Sequence, residues 1–479
     1  MSNSESAAEL PAAETAADDY FAQRQLKSGA VGWLLLVGLG VAYVISGDFA
    51  GWNFGLAQGG WGGMFIATVV VAFMYLCMCL CMSEMSTMLP TAGGGYSFAR
   101  TAFGPMGGYL TGTAILIEYA IAPAAIACFI GAYCESLFGM GGWIIYLVCY
   151  LVFMGIHLKG AGEALKIMFV ITAVAAMALM VFIFAMLPAF DSANLFDIAV
   201  NADAAGASSF LPMGYLGIWA AVPYAIWFFL AVEGVPLAAE EAKEPHKSLP
   251  RGLIGSMLIL AFFALSILFL GPGAAGAEAL KASGAPLVDA LKAVYGANTW
   301  LAGFVNFVGL AGLIASFFSI IYAYSRQIFA LSRAGYLPKS MSLTNKNHAP
   351  HLAIIIPGII GFLMSLSGEG DLLILMAVFG ATISYVLMML SYIKLKASKA
   401  NLPRPYQAPG GIVTAYIALI LAAIAVVAGF VVDPTVWLAA AAIYAAFILY
   451  FLLYSRHHLV AGTPEEEFAN IQHAEQELK

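Results

Sequence analysis

The residues best suited to chemistry sit in two short interruptions of otherwise apolar runs. The first reads Val44-Ile45-Ser46-Gly47-Asp48-Phe49-Ala50-Gly51 and places two glycines, a hydroxyl and a carboxylate within an apolar stretch. The second reads Trp227-Phe228-Phe229-Leu230-Ala231-Val232-Glu233-Gly234-Val235-Pro236 and combines Gly234 and a proline with the carboxylate Glu233. A third acid, Glu118, stands in Ile117-Glu118-Tyr119 inside another apolar stretch. A charged side chain at membrane depth costs at least ~2.5 kcal/mol to insert, so such groups mark functional positions. An ionised Asp48 would repel a substrate carboxylate by several kcal/mol at close range in a reduced dielectric, and would pair with an ammonium. The chemistry implied is recognition of an amine that lacks a carboxylate of its own. Phe49, Tyr119, Trp227 and Phe229 flank the interruptions and can close over an ammonium, each cation–π contact being worth ~0.5–2 kcal/mol. The carbonyls of Leu230, Ala231 and Val232, expected to be unpaired at the second interruption, add acceptors.

These residues need elements that hold them in a bilayer, and the composition supplies such elements. Of 479 residues, 62% are apolar and 10% charged, with a mean hydropathy of +0.90; a soluble domain carries roughly 45–50% apolar and about 25% charged residues. A cytosolic enzyme is thereby excluded. A net charge of −7 with no basic face excludes nucleic-acid binding. Long unbroken apolar runs, rather than alternation, exclude an outer-membrane barrel. About 20 apolar residues span a bilayer, which predicts twelve segments near 31–57, 63–88, 107–137, 142–158, 165–188, 213–238, 252–272, 297–325, 352–367, 372–393, 411–431 and 434–454. With the N-terminus in the cytoplasm, 18 of the 20 Lys and Arg residues fall on the inner side, and Lys281 and Lys292 outside. This follows the positive-inside rule and places both termini in the cytoplasm. Residues 1–30 carry no secretory signal pattern.

The two interruptions occupy the first and sixth segments, the opening helices of two five-segment halves. Paired Gly/Pro breaks at corresponding positions mark the substrate site of an inverted-repeat transporter. Further stretches resemble one family. Pro90-Thr91-Ala92-Gly93-Gly94-Gly95-Tyr96 resembles the P-x-A-G-G-x-Y signature of amino acid–polyamine–organocation permeases, and Trp227 to Glu233 resembles that family's broken sixth span, with Ala231 where glycine is usual. The loop from Glu240 to Arg251 and the run from Ser325 to Pro338 match the loops after the sixth and eighth spans. The resemblance covers roughly residues 30–455, and from Ser46 to Glu135 it is most similar to bacterial ethanolamine permeases. It implies an all-α membrane protein of twelve transmembrane helices with a leucine-transporter-type five-plus-five inverted repeat. The expected organisation is a tail (1–30), two repeats (31–200 and 201–396), two further spans (397–455) and a second tail (456–479). It also implies alternating access in a bacterial cytoplasmic membrane, with Trp227 as an aromatic gate. Gly51, Glu233 and Gly234 would then be gating or structural, while Ser46, Gly47, Asp48, Phe49, Glu118, Tyr119, Trp227, Phe229, Leu230, Ala231 and Val232 would contact substrate.

The expected substrate is ethanolamine, with amino acids, polyamines or choline as alternatives within the family. Coupling to Na+, coupling to H+, and exchange or facilitated uptake are all compatible with the sequence. Ser316 and Ser319 share one helical face at i, i+3 and could meet span-1 carbonyls around Na+. Alternatively Asp48, Glu118 or Glu233 could carry H+, since the span-5 lysine of proton-coupled relatives falls near Ala175 here and Lys166 lies at the segment's start. Glu84 is expected to be structural, near the cytoplasmic side. Cys77, Cys79 and Cys81 spread around a helix and have no neighbouring histidine, so they read as packing residues rather than a metal site. All seven histidines lie at segment ends or in loops, with no HExxH pair, which argues against a membrane-embedded enzyme. Broken helices fit an alternating site better than an open channel. No cofactor is expected beyond a coupling ion. The expected partners are a small amine and the lipid bilayer, with no nucleic acid, and no sequence feature specifies an oligomeric state.

Overall fold

The computed structural model describes residues 29, 31–296, 299–399 and 402–460, without the side chains of 161–166 and 302. The tail assignments for 1–28 and 461–479, with Arg24, Lys27 and Lys479, and the side chain of Lys166 lie outside the described residues. The described chain is helical, with two isolated β-bridges. Its main helices are α1 (Trp33–Val44), α2 (Ser46–Phe49), α3 (Phe54–Met88), α4 (Gly95–Phe138), α5 (Trp143–Leu158), α6 (Ala161–Met186) and α7 (Gly214–Trp227). After a 3-10 stretch, Val232–Glu241, come α8 (Pro245–Ala275), α9 (Ala277–Leu280), α10 (Pro286–Tyr295), α11 (Trp300–Arg333), α12 (His351–Ser365), α13 (Gly370–Ser398), α14 (Ile412–Val432) and α15 (Pro434–Leu453). Among the described residues, nine helical stretches are long and apolar enough to cross a membrane, and α1, α5 and α12 are shorter apolar helices. Each of the twelve expected segments holds one of them.

The burial pattern is that of a protein dissolved in lipid. Large apolar side chains such as Ile167, Phe184, Val413, Leu438 and Leu453 point outward, while serines, threonines and acids line the interior. Most interior hydroxyls bond the carbonyl one turn back, as in Ser83 to Cys79, Thr113 to Tyr109 and Ser256 to Gly252. Their donor hydrogens are thereby satisfied within their own helix. Helix ends follow local chemistry. α15 starts at Pro434 beneath Asp433, whose carboxylate accepts from the Thr435 and Val436 amides. α1 is enclosed by α6, α8 and α11, while α4 packs between α11 and α13.

One end of the bundle, where Glu84, Glu240 and Glu241 meet Lys396, Arg404, Arg333 and Arg326, is held by buried ion pairs. Glu84 on α3 is wholly buried and accepts from Lys396 (2.6 Å), Arg404 (2.8 Å), Tyr392 (2.6 Å) and the Ala408 amide (2.9 Å). Glu241 pairs with Arg326 at 2.8 Å, and the Arg326 guanidinium lies 4.1 Å over the Tyr322 ring. Glu240 pairs with Arg333 at 2.8 Å and accepts the Ala92 amide at 2.9 Å. Val31, just before α1, donates to the Glu241 carbonyl and accepts from the Lys243 amide. The flanks of both broken segments are therefore tied together at this end.

Candidate functional site

The first break is held open by a hydroxyl from another helix. In an unbroken helix the Ser46 amide would bond the Ala42 carbonyl four residues earlier. Here Ser316 of α11 inserts between them, donating to the Ala42 carbonyl at 2.7 Å and accepting from the Ser46 amide at 2.9 Å. The chain then makes the single turn α2 and becomes extended at Ala50. Gly47 is required on this turn because a Cβ there would collide with the Trp227 carbonyl. Phe49 packs against Gly309 and Gly312, where α11 has no side chains to obstruct the ring.

The second break turns on Ala231. It adopts φ +78°, a left-handed conformation that non-glycine residues seldom take, and it is wholly buried. This geometry costs roughly 1–2 kcal/mol and ends the helical run begun by α7. The expected unpaired acceptors are only partly so, because the Ala231 carbonyl accepts the Gly234 amide at 3.0 Å as the 3-10 stretch begins. Val232 donates its amide to the Phe229 carbonyl at 3.2 Å.

Between the two breaks Tyr43, Val44, Ser46, Trp227, Leu230 and Ile320 line a narrow cleft without room for a water molecule. Of the expected contact residues it gathers Ser46, Trp227 and Leu230. Tyr43 and Ile320 were missed from the sequence, although Tyr43 stands one turn before Ser46. On one side the cleft is closed by Trp227, whose Nε1 donates to the Ala50 carbonyl at 3.0 Å, and by Tyr133, whose hydroxyl donates to the Phe49 carbonyl at 2.9 Å. Gly51, with φ +97°, lies against the Trp227 indole. Beyond it, Asn53 donates to the Leu280 and Ser283 carbonyls. The Arg326 guanidinium lies over the Tyr322 ring and pairs with Glu241.

Asp48 is wholly buried and neither of its oxygens has a hydrogen-bond partner. It does not line the cleft. Because α2 remains helical, residues 46 and 48 project about 200° apart, so the carboxylate occupies the face of the turn opposite Ser46. Glu118 is also wholly buried with both oxygens unpartnered, and it does not line the cleft. Glu233 accepts from Tyr119 at 3.1 Å and from Tyr385 at 3.4 Å, and Tyr385 bonds Tyr75 at 2.7 Å. Phe229 packs on Tyr75 at 5.5 Å, and Gly234 leaves room for Tyr119 and Tyr43. Ser319, in contrast to Ser316, bonds the Ala315 carbonyl of its own helix and the Met168 sulfur. Tyr75 and Tyr385 carried no sequence signal; helix packing brings them to Glu233.

Two broken apolar segments that meet inside a lipid-facing helical bundle are the architecture of a multi-pass membrane protein. Residues 31–453 match the family model described as "Amino acid permease", and the chain belongs to that family. It is 27% identical over 451 residues to the branched-chain amino acid permease of Bacillus subtilis, covering 89% of this chain and 92% of that protein. It is 26% identical over 469 residues to the lysine-specific permease of Lactococcus lactis, covering 90% and 89%. An uncharacterized transporter of Rhizobium meliloti is 28% identical over 369 residues, covering 75% and 77%. The chain is thus a transporter of the amino acid–polyamine–organocation superfamily and not an enzyme.

Proposed function

We propose that this permease imports ethanolamine, or a similarly small primary amine without a carboxylate, across a bacterial cytoplasmic membrane by alternating access. The observation that carries the reading is the pair of unpartnered, fully buried carboxylates, Asp48 and Glu118, near the two breaks, with no ion pair to either among the described residues. A protein interior that holds acids without bases favours a cationic guest and penalises an anionic group. Asp48 acts on the cleft through its field in this conformation, since it lies across the α2 turn from Ser46. The hydroxyls of Tyr43 and Ser46 suit the alcohol end of ethanolamine, and the Trp227 ring suits the ammonium. Two five-helix halves over 31–200 and 201–396, followed by 397–455, would rock about this cleft. The basic residues gathered at one end support placing that end in the cytoplasm.

The named relatives support a second reading, an α-amino acid substrate, because branched-chain amino acids and lysine carry the carboxylate that Asp48 opposes. Uptake of labelled ethanolamine into proteoliposomes, competed with choline, putrescine, serine, alanine and leucine, separates the two. Ethanolamine should compete best and the amino acids weakly. Dominance of serine, alanine or leucine would transfer the assignment to the amino acid reading.

A further inference from the structure

We propose that the groove between α5, α6 and α11 binds one acyl chain of a bilayer phospholipid, and that Lys159 beside it selects an anionic headgroup. The proposal rests on the chain spanning a membrane and not on ethanolamine being its cargo. The groove holds about 90 Å3 of free space. Phe153 and Ile156 of α5, Ile167 and Met168 of α6, and Ala315 and Phe318 of α11 line it, and every lining side chain is apolar. Water there would find no hydrogen-bonding partner, and a void of this kind takes an apolar guest. Ile156 and Ile167 are exposed while Met168, Ala315 and Phe318 are buried, so the groove runs inward from the lipid-facing surface. In a bilayer the phase at that mouth is hydrocarbon. An α-helix with its side chains is about 10 Å across and too wide to enter. A linear chain is the occupant that fits.

The walls are fixed, so the groove does not close on itself. Phe318 stacks on the His157 ring at 4.1 Å, its carbonyl bonds the His157 Nε2 at 2.9 Å, and its ring meets Phe153 edge-on at 6.0 Å. The Ser319 hydroxyl lies between the Met168 sulfur and the Ala315 carbonyl, joining α6 to α11. The residue after Ala315 is Ser316, which bridges Ala42 and Ser46. A chain in the groove therefore lies against the turn of α11 that holds the first break open.

The headgroup end is set by Lys159, which follows α5 about one helical turn beyond Ile156. It is exposed and has no ion pair among the described residues. The neighbouring Leu158 carbonyl would repel a phosphate at this helix C-terminus. It is instead occupied by the side-chain amides of Asn345 and Asn347, at 2.8 and 3.3 Å. An available ammonium at the polar end of an apolar groove suits the net negative charge of phosphatidylglycerol better than zwitterionic phosphatidylcholine.

Photolabelling of the full-length protein in nanodiscs tests this, using phosphatidylglycerol with a diazirine in the upper half of one acyl chain. Label should concentrate on residues 153–156, 167–171 and 314–318. Unlabelled phosphatidylglycerol should displace it about fivefold more effectively than phosphatidylcholine with the same chains. Ala315→Leu fills the groove and should cut the displaceable label about tenfold or more, since each excluded methylene is worth about fourfold. Lys159→Gln should keep the label and lose the headgroup preference. Label spread evenly over lipid-facing helices such as α14 and α15 overturns the proposal, as does undiminished label in an Ala315→Leu protein of wild-type thermal stability. Equal displacement by the two lipids overturns the role of Lys159, and dimers that shield 153–171 from label make a second copy the occupant. If Ala315→Leu does not fold, the wild-type label map and its displacement decide. Uptake does not enter the readout, so failure of the ethanolamine assignment leaves this test intact.

Discussion

Two sets of buried acids in this molecule differ in one respect, the presence of counter-charge. Glu84 at the basic end is fully buried, yet it has Lys396, Arg404, Tyr392 and the Ala408 amide around it. Asp48 and Glu118, equally buried, have no partner, and Glu233 has only tyrosines. Burial is therefore the same and satisfaction is opposite. A satisfied acid joins elements, here α3, α13 and the segment before α14. An unsatisfied acid at the centre carries a cost that only a guest or a proton can offset.

The largest expected effect lies on the satisfied side. Glu84→Ala leaves Lys396 and Arg404 without their anion in a buried site, which should cost about 3–5 kcal/mol. The check is thermal unfolding of the detergent-solubilised protein, and wild-type stability in this variant would break the comparison. Ser316→Ala should come next. It strips the Ser46 amide and the Ala42 carbonyl of their bridging partner and should cost about 1–3 kcal/mol in the same assay. Ser319→Ala should cost less, because its bonds lie outside the break.

Smaller effects are expected at the centre. Ala231→Gly relieves a left-handed alanine worth roughly 1–2 kcal/mol but adds unfolded-state entropy, so a net gain of about 0.5–1 kcal/mol is expected. A loss of stability would show that the Ala231 methyl packs more favourably than its backbone strain costs. Asp48→Asn should change unfolding by less than about 1 kcal/mol, since it removes no hydrogen bond and no ion pair. Destabilisation on the scale of Glu84→Ala would place Asp48 among the structural acids.

Much of this contrast was legible in the sequence, and the remainder failed for an identifiable reason. Segment positions followed from apolar run length, and both breaks followed from Gly, Pro and carboxylate within such runs. Glu84 read as structural and proved to be caged. Orientation at the first break did not follow. Placing Ser46 and Asp48 together against the substrate overlooked that α2 keeps one helical turn, which projects the two residues about 200° apart. The meetings of Tyr119 and of Tyr385 with Glu233 join residues more than 100 positions apart. They depend on how α4, α13 and the 3-10 stretch rotate against one another, which periodicity alone does not encode. Ser316 was placed toward span 1 by its helical face, but its role as a substitute rung in the helix ladder needed the Ala42 and Ser46 distances.

The central claim is that an unpaired carboxylate at the first break recognises the ammonium of the substrate. Equilibrium binding of labelled ethanolamine to purified wild type and Asp48→Asn, both checked for equal thermal stability, tests it most directly. Loss of the aspartate's field should weaken binding by about tenfold or more, since each ~1.4 kcal/mol of lost attraction is a factor of ten. Equal affinity in the two proteins would contradict the account.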